Sequence, residues 1–309
     1  MTPQQVCVAG ATGYLGSRVV AELRERSIPV VAILKDRSCG ADQRRLIALG
    51  AELTFVDASR LEPYAEALSG SDVAISCMAS ANLNVDSTDD FWAIDRDANI
   101  RFGIAALKAG AAHVVLVATF EGRASRRVTA FSGAKEFAVD AIATACRDAG
   151  AAFTIIRPTA YFSDLTNRAF DSVLKHGRLT VLGDGSHRIN PIDGRDVAVF
   201  IANCLGDPAK AGHEHQIGGP ETFSFREIGM LAADVIGRPR LLKIRTIPMW
   251  SLRFVAAMAS AAGLISRRGR RFAAILKWMI YAGTHDAVAP TCGARRLRDD
   301  FLSKLQMKN

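Results

Sequence analysis

Short apolar runs alternate with longer amphipathic stretches through the first 160 residues, roughly thirty residues to a unit. The runs "QVCVAG", "VVAIL", "ELTFVD", "DVAISC", "HVVLVA" and "FTIIRP" predict six strands. The stretches between them predict helices over 14–26, 41–49, 61–69, 93–109 and 132–149. Strand–helix alternation of this kind builds a doubly wound parallel sheet covered by helices on both faces, an α/β architecture.

After "IRP" the rhythm breaks. Residues 160–190 are irregular and polar, ending in "GDGSHRINPID". Asp196 is expected to cap a return helix over "VAVFIANCL". From 213 come a short strand in "EHQIGG", a helix after "TFSFRE" and a long apolar-basic tail. The chain divides on this pattern into a nucleotide-binding domain of residues 1–160, rejoined by 191–206, and a smaller, discontinuous C-terminal substrate lobe of 161–190 and 207–309. A cleft between the two is the expected place for a small-molecule substrate.

The chain has 309 residues, 49% hydrophobic and 23% charged, which is ordinary for a folded protein and excludes disorder. No apolar leader with a cleavage site opens it, so a cytoplasmic location is expected. Its six cysteines show no CxxC pairing, and reduced, buried thiols are expected rather than disulfides or a metal. The two histidines of "HEH" (213–215) have no third ligand in view, so no metal site is expected.

The net charge of +8 is unevenly spread. Residues 243–309 hold 13 Lys+Arg against 3 Asp+Glu, while the first 242 residues are slightly acidic. Within that tail, residues 250–283 carry six basic residues and no acidic one. Too few of them are consecutively apolar to span a bilayer. They are expected to form a buried helix of the lobe capped by arginines, or a greasy, positively rimmed mouth in peripheral contact with a membrane. Nucleic acid is not an expected partner, because no stacking aromatics interleave the basic cluster. The oligomeric state is not legible.

"VCVAGATGYLGSRVV" places Gly10, Gly13 and Gly16 directly after the first strand and at the start of the first helix. In that context Gly10 permits the tight turn, Gly13 lets a pyrophosphate approach the backbone, and Gly16 lets helix pack on sheet. Thr12, Tyr14 and Leu15 share this loop, and the helix N-terminus meets the phosphate charge. The second strand ends in "AILKDRS". Lys35 and Arg37 there suit the 2′-phosphate of NADP(H), whereas Asp36 would favour NAD(H) by accepting from the ribose; NADP(H) is the preferred cofactor. Asp57 is placed to meet the adenine amine or simply to form a turn. Cys77, Met78 and Ala79, in "ISCMAS", would run along the adenosine ribose, and Pro158 would lie where the sixth strand reaches the nicotinamide.

These segments, followed in order by "IDRDANI", "AALKAGAAHVVLVA", "TIIRP", "GDGSHRINPIDGRDVA" and "IGGPETFSFREIGMLA", make the chain resemble the atypical short-chain dehydrogenase/reductases. The branch is the NmrA-like and divinyl-chlorophyllide-reductase-like one. The resemblance covers nearly the whole chain and implies a Rossmann fold, NAD(P)-dependent oxidoreductase activity and no particular substrate. It also implies catalytic roles for Thr119, at the hydroxyl position, and for Lys135. The family's usual tyrosine, four residues before the lysine, is replaced here by Phe131. The divinyl-reductase branch shares such a phenylalanine, so its presence does not imply inactivity.

Without that tyrosine the proton must come from elsewhere. A C=C bond conjugated to a carbonyl or ring tolerates this better than a simple ketone, because its charge spreads away from the hydride site. Tyr161 is the substitute acid expected first, with Lys135 or water behind it. Phe131, Phe162 and His187 are expected to line the substrate. The reading is an NADP(H)-dependent reductase of a hydrophobic, conjugated or aromatic small molecule. Its rivals are a non-catalytic NAD(P)-binding regulator or assembly factor, favoured by Phe131, and an epimerase or isomerase that keeps its cofactor.

Overall fold

The computed structural model describes residues 3–35, 40–56, 67–80 and 90–308. Eleven strands are named in chain order: β1 Val6–Ala9, β2 Val30–Leu34, β3 Glu52–Phe55, β4 Val73–Ser76, β5 His113–Val117, β6 Ala152–Pro158, β7 Arg178–Leu182, β8 Arg188–Ile189, β9 Glu214–Ile217, β10 Phe223–Ser224 and β11 Lys243–Ile247. Seven of them form one sheet in the order β3-β2-β1-β4-β5-β6-β9. Every pairing in it is parallel.

The side-chain alternation of β1 shows why the sheet is covered twice. Val6 and Val8 point into one core with Val19, Val20 and Leu23 of helix Tyr14–Glu25 and with Val197 and Ile201 of helix Gly194–Gly206. Cys7 and Ala9 point the other way, into a core with Phe102 of helix Asn99–Lys108 and Ile142 of helix Ala130–Ala149. A strand buried on both faces must be apolar at every position, as β1, β2 and β4 are. Strand order reverses between β1 and β4, and the crevice beyond their C-terminal ends is where doubly wound sheets bind ligands.

Two of the expected local features differ in the structure. β9 pairs with β6 and extends the main sheet, although its sequence position after the return helix suggested the lobe. The return helix is capped by Asp193, whose side chain accepts from Arg195 N–H. Asp196 sits instead inside the first turn, buried, where its carboxylate accepts from the Ala294 and Arg295 amides and pairs with the Arg295 guanidinium. An acidic residue suits either position of a helix start, so sequence alone could not choose between them.

The lobe has its own core of Phe162, Phe170, Ile228, Ala232 and Phe301, built from β7, helix Phe225–Val235 and helix Leu297–Gln306. Two small sheets serve it, β7 with β11 and β8 with β10. Residues 250–283 do not form one buried helix. They fold as two helices, Met249–Ala262 and Arg267–Ala282, packed on each other through Leu252, Ala256, Ala273 and Leu276. The break comes at Gly263, and Ser266 caps the second helix by accepting from Gly269 N–H. Among the described residues no helix is long and apolar enough to cross a membrane.

Candidate active site

The glycine loop leaves β1 through Gly10, whose φ of +75° is costly for any residue with a side chain. A Cβ there would lie 2.9 Å from the carbonyl carbon of Cys77, so the loop rests directly on the backbone leaving β4. A Cβ on Gly16 would overlap the Gly10 carbonyl oxygen, which shows how closely the helix start approaches the strand end. Gly13 caps helix Tyr14–Glu25 without a side-chain hydrogen bond, and the first turn holds no acidic residue. The helix therefore offers its first amides to an anion rather than to its own side chains.

Thr12 and Gly13 stand at the open side of the loop, while Leu15 is buried in the sheet core. Tyr14 leans the other way. Its hydroxyl accepts from Gly194 N–H at 3.3 Å, its ring lies edge-on to Tyr161 at 5.3 Å, and the Arg18 guanidinium covers it at 3.8 Å. Tyr14 thus ties the loop to the return helix and to the segment leaving β6.

Lys135 is no surface lysine: its side chain is 2% exposed. Nζ donates to the Met78 carbonyl at 2.6 Å and pairs with Asp95 Oδ1 at 3.1 Å. An ammonium has three protons, so one remains for a further acceptor. Asp95, fully buried, lies in the π-helical stretch Trp92–Ala98 and accepts through Oδ2 from the amide and hydroxyl of Ser80. Asn99, also buried, accepts from Ser76 Oγ at 2.6 Å and donates to the Ile94 carbonyl at 2.9 Å. Lys135, Asp95 and Asn99 together fix the Ser76–Ser80 backbone, which includes Cys77, Met78 and the exposed Ala79. A π-turn of this kind recurs at functional sites, where it re-aims a side chain.

Thr119 follows β5. Its Oγ1 is buried and has no hydrogen-bond partner among the described residues. Its carbonyl accepts from Arg157 at 2.8 Å. Arg157, 1% exposed inside β6, also pairs with Glu136 at 2.5 Å and with Glu214 of β9 at 2.6 Å. Glu136 is the residue after Lys135, so one buried ion network holds helix Ala130–Ala149, Thr119 and two strands in register. A Cβ at Gly122 would collide with the Glu136 carboxylate, which is why a glycine opens the turn there.

Tyr161 packs against the same core as Cys77 and Tyr14. Burial raises its phenol well above the usual value, and Cys77, Asp164 and Tyr14 add to the rise. It keeps its proton throughout the physiological range. Burial likewise pushes the Cys77 thiol up to about 12, so no thiolate competes at the site.

The structure gathers Gly10, Gly13, Gly16, Tyr14, Cys77, Met78, Lys135 and Tyr161 along one edge of the sheet. Thr119 and Pro158 stand at the ends of the neighbouring strands. Phe131, half-buried in the first turn of its helix, meets Phe91 edge-on at 5.9 Å. Phe162 is not among them: it is 1% exposed in the lobe core. His187 lies on the lobe surface, where its Nδ1 is 3.2 Å from Asp286. Lys35 is exposed at the tip of β2, whereas Arg37 and Asp57 lie outside the described residues. Asp95, Asn99, Arg157 and Glu136 escaped the sequence reading. The signal for the last two was a charged residue inside an apolar strand run, "TIIRP", and an acidic residue beside Lys135.

The sequence profile of an NAD(P)H-binding family matches residues 10–208. A chloroplastic divinyl chlorophyllide a 8-vinyl-reductase of Oryza sativa subsp. indica is 34% identical over 77% of this chain and 60% of its own length. The chain therefore spans less than two thirds of that relative. The enzyme of the same name from Cucumis sativus is 30% identical over 96% of this chain and 75% of its own. Among solved structures, the Citrobacter sp. triphenylmethane reductase complexed with NADP(H) superposes with a TM-score of 0.71 at 18% identity. That match covers 97% of this chain and 99% of the other.

Proposed function

The chain belongs to the NAD(P)H-binding atypical short-chain dehydrogenase/reductase family, and from that membership we propose that it is an NADP(H)-dependent reductase of a hydrophobic, conjugated small molecule. The observation that carries this reading is the meeting of two features at one sheet edge. A glycine-lined anion cradle at Gly10–Gly16 lies against the Cys77 backbone, and a buried lysine is held at the Met78 carbonyl one residue further on.

Gly10, Gly13 and Gly16 would hold the diphosphate, Cys77 and Met78 would border the adenosine side, and the remaining Lys135 N–H would donate a hydrogen bond to a nicotinamide ribose hydroxyl. Bound NADPH supplies the hydride. The chain supplies position, an apolar wall at Phe131 and protons at two named atoms. Thr119 Oγ1, which has no hydrogen-bond partner among the described residues, can donate to an acceptor oxygen or ring substituent. Tyr161, whose phenol stays protonated, can donate but gives its proton up reluctantly. That reluctance suits an acceptor whose charge is delocalised, since protonation can then follow the hydride. The relatives named for reducing a vinyl group on divinyl chlorophyllide and for triphenylmethane reduction support a conjugated acceptor.

Nicotinamide absorbance followed across enones, quinones and vinyl-substituted aromatics tests the reading. Tyr161→Phe is expected to slow NADPH consumption by about 10²–10⁴-fold, the weight of a general acid, without loosening NADPH. An unchanged rate would remove Tyr161 from the chemistry. NADPH should bind more tightly than NADH by about 1–3 kcal/mol through Lys35 and Arg37, and equal affinities by calorimetry would assign the site to Asp36. Phe131 favours a second reading, a regulator that binds NADPH without turnover. It predicts binding in the same calorimeter and no consumption with any acceptor.

A further inference from the structure

Thr119 opens a turn whose two ends are held by different parts of the molecule. Gly122 N–H donates to the Thr119 carbonyl at 3.1 Å, and that carbonyl also accepts from buried Arg157 at 2.8 Å. This end belongs to the sheet. The other end is Glu121, whose φ of +45° and ψ of +31° place it in the left-handed region. Gly or Asn would fit there with less strain. The Glu121 carbonyl accepts from the amide and the hydroxyl of Ser125, both at 3.1 Å, which fixes the backbone in that shape. An outlier of this kind is evidence that the side chain it carries is used.

The partner of that side chain comes from the lobe. Tyr281, in the last turn of helix Arg267–Ala282, donates its hydroxyl to Glu121 Oε2 at 3.4 Å. Among the described residues the carboxylate has no other hydrogen-bond partner. Tyr281 is itself held in place. Its ring stacks on the His285 imidazole, with centroids 4.1 Å apart and planes inclined by 15°. Its carbonyl accepts from Thr284 Oγ1 at 3.2 Å. The chain beyond is tied to the lobe: Asp286 Oδ1 accepts from Arg188 N–H at 2.9 Å, and Ala287 pairs with Ile189 of β8. Burial and the Glu121 charge raise the Tyr281 phenol above its usual value, so it stays a donor.

We propose that Tyr281, acting through Glu121, is a positioning residue for the Thr119 hydroxyl. The lobe and that hydroxyl are then placed as one unit. Loss of the contact is felt in turnover rather than in cofactor binding, because it shifts a donor and leaves the glycine loop and Lys135 untouched. The kinetic part rests on the reductase reading, and the structural part rests on the fold alone.

Tyr281→Phe keeps the ring on His285 and deletes the donor. Amide hydrogen exchange on the full chain should show Gly122 and Ser125 exchanging about tenfold faster than in the parent, with the β5 amides unchanged. In the NADPH consumption assay kcat should fall about tenfold while KM for NADPH holds. Glu121→Gly relieves the left-handed strain and removes the acceptor. Its urea midpoint should hold or rise while its kcat falls as in Tyr281→Phe, a split that a merely structural contact does not give. Glu121→Gln keeps an acceptor at the same reach and should retain the parent rate. Glu121→Gly with Tyr281→Phe should be no slower than either change alone.

Unchanged exchange at Gly122 and Ser125 in Tyr281→Phe overturns the proposal, whether or not the chain consumes NADPH. A parent-like kcat in that variant overturns it as well, as do losses that multiply in the double variant. So does a urea midpoint that falls together with kcat in Glu121→Gly. A parent that consumes no NADPH with any acceptor sinks the reductase reading instead, and the exchange result alone then upholds or overturns the tie between Tyr281 and the turn.

Discussion

At the scale of single residues, the Thr119 hydroxyl is buried and has no hydrogen-bond partner among the described residues, an arrangement that costs stability and is kept only if something else accepts or donates there. Removing an unsatisfied buried hydroxyl without changing shape is stabilising or neutral. Thr119→Val should therefore raise the thermal stability of the unliganded protein by about 1 kcal/mol while lowering kcat/KM. A loss of stability in urea titration would mean that the hydroxyl is satisfied within the fold. Gly16 makes the opposite case. Gly16→Ala pushes a methyl into the Gly10 carbonyl and should cost about 1–3 kcal/mol by forcing helix and loop apart. NADPH binding, read by fluorescence, should fall with it. The glycine spacing was legible because its purpose is local. Thr119's isolation was not, since a missing partner is a property of the surroundings.

At the scale of elements, Arg157 joins β6, β9, helix Ala130–Ala149 and the Thr119 carbonyl. Taking one partner from a buried pair leaves the other charge stranded, at a cost of about 3–5 kcal/mol. Arg157→Met should show that loss in denaturant. Adding Glu136→Met should recover most of it, because apolar replacement of a whole buried pair is close to neutral. Activity should stay low in the double variant, since the Thr119 carbonyl has still lost its anchor. Full recovery of activity would mean the network serves stability alone.

The β5–β6 seam adds a pH response. His113 Nε2 is 2.7 Å from Thr154 Oγ1, whose oxygen already accepts from Gly212 N–H, and burial lowers the imidazole from 6.5 to about 4. The unfolded chain binds this proton more readily than the folded one. Stability from this group is therefore complete above pH 6.5 and lost as pH falls from there towards 4, by about 3 kcal/mol in all. The difference between the parent and His113→Gln in urea midpoint, followed from pH 7 to 4, should show that slope. A flat difference would mean that the ring is protonated in the fold.

At the scale of the whole molecule, the candidate cofactor edge belongs to a sheet whose first and last strands are separated by some two hundred residues of chain. A ligand that binds only the folded state stabilises it by mass action, about 2.7 kcal/mol at a hundred times Kd. NADPH at that level should raise the melting midpoint by about 5 °C, and Gly16→Ala should blunt the rise. No shift in the parent would leave the loop without its ligand.

What the sequence alone determined is what local physics controls. Apolar runs of strand length, a helical period between them and three glycines at a strand–helix junction specify the doubly wound sheet and its anion cradle. Each of these features acts within a few residues of itself. The tertiary structure decided the rest. Lys135 gained Asp95 from forty residues away, and β9 left the expected lobe to join β6 at the sheet edge. Phe162 went into the lobe core, although its neighbour Tyr161 faces Tyr14. The apolar segment 250–283 became a hairpin with one side bare, because its partner helix could cover only the other. Burial, ion pairing and exposure depend on which distant segment arrives opposite a residue, and no window of sequence contains that neighbour.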